Sequence, residues 1–141
     1  MSLIAALVAI SPIVAMSGVE TPVIVVKHLL EASARDDWTT VLAMLTTDAT
    51  FGMGDVGGPL NKDSISILSA LEKYGCRIIS MRKTNFRIPN RDNMQFVDVK
   101  RACPYGAVSA KSGEHELTTT YFVIGKKVAG FYLQINPAPK P

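Results

Sequence analysis

His115 and Tyr121 lie in "HELTTTYFVIG", a stretch whose residue types suit a β-strand. Alternation puts them on one face with Leu117, Thr119 and Val123, while Glu116, Thr118, Thr120, Phe122 and Ile124 share the other. An imidazole and a phenol on one face can bind a polar ligand or carry a proton, provided that face lines a pocket. If it faces water instead, the pair is a strand end and a solvated tyrosine. Asp98 in "MQFVDVKRAC" is a further candidate acid, out of phase with Val97 and Val99 and so equally suited to face water. The chain has two histidines, far apart, and no His/Cys/carboxylate spacing suggests a metal. "GMGDVGG" does not follow a buried strand and open a helix, so it is a poor phosphate loop. Neither a metal nor a cofactor is expected.

Two cysteines flank the pair of strand-like runs "CRIISMRKTNFRI" and "MQFVDVKRAC", which are separated by the turn-forming "PNRDN". A hairpin centred near Pro89-Asn90 sets Cys76 and Cys103 nearly opposite one another, within bridging range if no bulge shifts the register. They are either a cross-strand disulfide or two buried thiols.

The elements that must position these residues follow from capping and periodicity. Thr21-Pro22 opens a helix through "VIVVKHLLEASA", with Val26, Leu29 and Leu30 inward and Lys27, Glu31 and Arg35 outward. Its β-branched start means that burial supplies the stability. Asp36 or Asp37 caps a short second helix from Trp38, ended by Thr46-Thr47-Asp48, and "ATFGM" reads as a brief strand. "GDVGGPLNKDS" reads as a glycine-rich loop. "ISILSALEKYG" is a third helix with Ile65, Leu68 and Leu71 on one face and Gly75 as its stop. Two more strands, "HELTTTYFVIG" and "VAGFYLQI", close on a "GKK" turn. The expected architecture is α+β: a cone-shaped, curved antiparallel sheet wrapped around a long N-terminal helix, with two further short helices.

The composition is that of one globular domain: 141 residues, 48% hydrophobic, 19% charged, net charge +3. Basic residues are scattered, which argues against a nucleic-acid surface. The first seventeen residues carry no charged side chain, and their apolar run is shorter than the about 20 residues a membrane span requires. Small residues at Ala15 and Ser17 suit a secretory cleavage after Ser17, which would place the protein in the periplasm or outside the cell. The alternative is an apolar N-terminal element of a cytoplasmic protein. The expected division is a leader over 1–17, one domain over 18–136 and a proline-rich tail over 137–141.

In element order the chain resembles the nuclear-transport-factor-2-like superfamily, which includes ketosteroid isomerases and SnoaL-like polyketide cyclases. "ARDDWTTVLAMLTTDATF", "GGPLNKDSISILSALEKY" and "TYFVIGKKVAGFYLQI" carry the resemblance. It implies a cavity between helix and sheet, a small-molecule ligand, and a homodimer through the sheet. It does not transfer isomerase chemistry. The general-base position falls at Met53, the tyrosine position at Leu29, and the second acid near Thr118 to Thr120. Asp55, two residues beyond the base position, is a substitute base or a turn residue. His28 is one residue from the tyrosine position, so it points about 100° away around the helix. Trp38 reads as a core or rim aromatic.

Two function classes follow. One is a binding protein whose pocket is lined by His28, Leu29, Trp38, Met53, Asp98 and Thr119. The other is an isomerase, dehydratase, cyclase or epoxide hydrolase using a relocated set of Asp55, His115 and Tyr121. A self-associating subunit is a third reading, signalled by exposed Phe122, Ile124, Phe131 and Leu133.

Overall fold

The computed structural model describes residues 21–91, 93–104 and 114–135. The expected leader and the proline-rich tail lie outside them. Helix α1 spans Pro22–Ala34, and Thr21 caps it by accepting a hydrogen bond from the Ile24 amide at 3.3 Å. Its inward stripe, Val25, Val26, Leu29, Leu30 and Ala32, is buried, while Lys27, Glu31 and Arg35 are exposed.

The chain then reverses at "RDD". Asp36 takes a left-handed conformation (φ 56°), its amide bonds to the Ser33 carbonyl, and the Asp37 amide bonds to the Ala32 carbonyl. This is the two-bond close that usually relies on glycine, here built on an aspartate. Asp37 in turn caps helix α2 (Trp38–Met44), taking the Thr40 amide at 3.3 Å and the Thr40 hydroxyl at 2.7 Å. Those two bonds, the side-chain one first, hold the Asp37 carboxyl below the usual carboxylate range.

Strand β1 covers Leu45–Met53 and β2 covers Val56–Pro59. The expected glycine-rich loop is therefore partly a strand. Gly54 supplies the positive φ (59°) that a two-residue hairpin turn needs, and Asp55 completes the tip. The third helix is shorter than expected: a 3-10 segment, Ile65–Ser69, leads into one turn of α-helix, α3 (Ala70–Lys73), and Gly75 (φ 91°) ends it.

Strands β3 (Arg77–Lys83), β4 (Met94–Pro104), β5 (Glu114–Ile124) and β6 (Lys127–Ile135) complete a six-stranded, curved sheet in the order β2-β1-β6-β5-β4-β3. The sheet is mixed rather than antiparallel throughout, because β1 runs parallel to β6. Register shifts interrupt three of the pairings, between Leu45 and Thr50, Ile78 and Ser80, and Phe122 and Val123. Irregularities of this kind bend a sheet. Helix α1 packs on β3 to β6, and its apolar stripe joins Val97, Val99, Tyr121, Val123, Val128 and Phe131 in the main core. Phe131 is thus an inner-face core residue and does not belong to an outer apolar patch.

The shift at Ile78/Ser80 also aligns the cysteines. Ser80 faces Lys100, but beyond the bulge Arg77 faces Ala102, which sets Cys76 against Cys103. Without the extra residue Cys76 would stand opposite Pro104. The two sulfurs form a disulfide closing a 27-residue separation, and it packs with Leu117, Leu71 and Leu133.

Candidate functional site

Alternation along β4 sends Val97, Val99, Arg101 and Cys103 to the inner face. Three of these suit a core. The fourth, Arg101, is 1% exposed. A buried guanidinium must find partners for its charge and donors, and this one finds three. Its Nε and Nη2 donate to Oε1 of Glu72 at 3.0 and 2.9 Å, and Nη1 donates to the Thr119 hydroxyl at 3.0 Å. Nη2 also reaches the Tyr121 hydroxyl at 3.5 Å. Glu72 stands on α3, whose approach to the sheet is fixed by Ile65 and Leu68 in the core. Thr119 and Tyr121 stand on the inner face of β5.

Arg101, Thr119 and Tyr121 line a cavity of about 30 Å³ between α3 and the sheet, walled also by Met53, Leu71, Phe131 and Leu133, with Glu72 bonded to Arg101 beside it. That is room for one or two waters. The interior is thus much tighter than the open cone expected of the fold. Glu72 uses only one carboxylate oxygen. Its Oε2 is shut off from solvent and has no hydrogen-bond partner among the described residues, although the side chain as a whole is 32% exposed.

Burial works against the Arg101 charge, yet the oxygens it bonds on Tyr121 and Glu72, with the Glu72 charge, favour it, and the guanidinium lies above its ordinary value. Burial likewise raises the Tyr121 phenol, with Arg101 opposing and Glu72 adding to the shift. Tyr121 is therefore neutral in ordinary buffers, which leaves Glu72 as the counter-charge. With its oxygen turned to Arg101, the phenol can present its own proton to a group in the cavity.

No family model matches the chain, and no curated protein matches it in sequence. Solved structures do match in shape. A protein from Xanthomonas campestris pv. campestris, provisionally assigned as a polyketide cyclase, aligns with TM-score 0.52 and 16% identity over 79% of this chain and 87% of its own. Another with the same provisional assignment, from Silicibacter sp. TM1040, gives 0.51 and 14% over 79% and 86%. An NTF2-like protein from Cytophaga hutchinsonii reaches 0.48 at 12% identity, over 80% and 88%. The fold is nuclear-transport-factor-2-like. At these identities the likeness concerns architecture and leaves the chemistry open.

Within this nuclear-transport-factor-2-like frame the sequence candidates separate. Tyr121, Thr119 and Met53 line the cavity. Leu29 is fully buried in the helix–sheet core and Trp38 packs half-buried at its edge, so neither lines the cavity. His28 is exposed on the flank of α1. His115 does face inward, but at the disulfide end, opposite Cys103 and outside the cavity wall. Asp55 is exposed at the β1–β2 tip. Asp98 points to the outer face, where it accepts the Thr120 hydroxyl at 2.7 Å. Tyr121 is therefore the one member of the trio Asp55, His115 and Tyr121 that lines the cavity.

Arg101 and Glu72 were missed as site residues. The phase of β4 carried the signal for Arg101, since an arginine in step with Val97, Val99 and Cys103 must point inward. Glu72, one place after Leu71 on the inward helix face, gave no such signal. Among the described residues no group of three or more His, Cys, Asp or Glu side chains could hold a metal, and no helix is long and apolar enough to cross a membrane.

Proposed function

We propose that the protein binds a small molecule of mixed polarity between α3 and the inner sheet face, where Arg101, Thr119 and Tyr121 orient it. The observation that carries this reading is the Arg101 guanidinium, 1% exposed at a cavity otherwise walled by Met53, Leu71, Phe131 and Leu133. Ligand sites are mostly apolar with a few placed polar groups, and a buried charge is costly to keep for packing alone. Binding is favoured over isomerase-like or cyclase-like catalysis because none of the described lining residues is a carboxylate or imidazole, and the neighbouring Glu72 is committed to Arg101. The expected apolar leader and the disulfide support a place of action outside the cytoplasm. Intact mass of the native protein tests that placement.

The binding reading is tested by amide-resolved NMR titration with a panel of small apolar acids, alcohols and amides. Shifts are expected at Met53, Arg101, Thr119 and Tyr121, and to disappear in Arg101→Met. Shifts confined to the outer face would overturn it.

A second reading adds self-association through the outer face. Phe86 (63% exposed) and Tyr132 (42%) flank Phe96 and Phe122 around an open groove of about 500 Å³. An apolar patch of this kind suits a second copy. Sedimentation of wild type and a Phe86→Ser/Tyr132→Ser variant tests it: a dimer that the variant loses supports it, and a monomeric wild type refutes it.

A further inference from the structure

We infer that the ligand is a carboxylate whose head group takes the seat now held by Glu72 on Arg101. This rests on the binding reading above and names its ligand class. The Nε/Nη2 edge of a guanidinium is shaped for both oxygens of one carboxylate. Glu72 fills that edge with Oε1 alone and leaves Oε2 buried and unbonded. The seat is occupied but not well satisfied.

The two partners also differ in what they can do next. Glu72 is 32% exposed, so a rotation returns its carboxylate to water. Arg101 at 1% cannot follow and keeps its demand for a counter-charge. An incoming neutral molecule would strand the guanidinium, and an incoming cation would be repelled by it. An incoming carboxylate replaces the charge that Glu72 now supplies to Arg101.

The segment carrying Glu72 suits such an exchange. It is a 3-10 stretch and a single helical turn, and neither Ser64 nor Ser69 at their starts makes a side-chain cap. With Glu72 withdrawn, the head group would bond Arg101 and accept from the Tyr121 phenol. A short apolar tail would lie against Met53, Phe131 and Leu133. The existing volume of about 30 Å³ holds little more than the head group, which points to short monocarboxylates.

Thermal unfolding at constant ionic strength tests this with acetate and butyrate against chloride, acetamide and butyramide. Butyrate is expected to raise the midpoint of the wild type above its chloride control, and butyramide is not. Glu72→Ala should unfold at lower temperature and recover selectively with acetate or butyrate. Arg101→Met should respond to none of them. If Glu72→Ala does not fold, Glu72→Gln keeps an acceptor on Arg101. Its acetate affinity, read from the Arg101 Nε–H resonance, should exceed wild type by roughly tenfold because the competing carboxylate is gone. Equal effects of butyrate and butyramide with cavity shifts would overturn the carboxylate inference and leave the binding reading standing. No effect of any probe, with no cavity shifts in wild type or Glu72→Gln, would overturn both.

Discussion

Reducing the Cys76–Cys103 disulfide is expected to cost the fold about 3.5 kcal/mol, the chain-entropy value for a closed loop of this 27-residue separation. The location supports a loss of that size. Among the described residues β3 is an edge strand of the sheet and pairs only with β4, so the disulfide ties that edge to its neighbour. Urea unfolding followed by tryptophan fluorescence, with and without reductant, measures the effect. With a slope near 2 kcal/mol/M the midpoint should fall by roughly 1.5–2 M. The slope should rise, because the unlinked chain exposes more surface when unfolded. Cys103 is fully buried and Cys76 nearly so, and reductant should therefore act slowly until denaturant opens the edge. A Cys76→Ala/Cys103→Ala variant should match the reduced protein. A midpoint shift below about 0.3 M would refute the reasoning, since it would mean that the loop is already restrained in the unfolded chain or that β3 contributes little to the cooperative fold.

The buried ion pair should respond asymmetrically in denaturant titrations. Glu72→Ala strands a charge that is 1% exposed and should lose about 3–5 kcal/mol, whereas Arg101→Met lets Glu72 rehydrate and should be close to neutral. Two glycines with positive φ should likewise differ. Gly130→Ala drives a Cβ into the Thr50 carbonyl at φ 148°, and it should lose well over 1 kcal/mol or fail to fold. Gly125→Ala meets nothing within 4 Å and should lose only the about 1–2 kcal/mol of a left-handed residue with a side chain. The Asp37 carboxyl lies below its ordinary value of 3.8, so its contribution is full above that value and fades as pH falls through the lower, folded-state value. Asp37→Asn, which keeps the amide cap but loses the charge and the acceptor for the Thr40 hydroxyl, should give up that contribution at neutral pH and flatten the acid limb in a melting series.

Local chemistry made much of the fold legible. Thr21-Pro22, "RDD" and Gly75 each stated a helix boundary through a cap or a positive φ, and the alternation in "HELTTTYFVIG" assigned both faces of β5 correctly. What was lost depends on partners far away in sequence. β2 is exposed or half-exposed along its whole length, so "VGGP" carries no alternation, and it is a strand only because β1 offers it an edge. The parallel pairing of β1 with β6 leaves no local mark on either. At the site, Tyr121 and Thr119 were readable from strand phase. Arg101 was readable by the same rule, but composition favours an exposed arginine, and only the arrival of Glu72 from α3 makes its burial tolerable.

Among the described residues β6 is the last strand in sequence, and because it lies between β1 and β5 it is also the seam of the sheet. Until it emerges, the sheet of a nascent chain is in two parts, the β1–β2 hairpin and the β3–β4–β5 meander, with α1 able to pack on the meander alone. Val128 and Phe131, which fill the core beneath both, arrive only with it. Closure of the sheet is thus deferred until β6 has emerged. A ribosome stalled before Lys127 would leave β1 and β5 with open edges, each ready to pair with another chain.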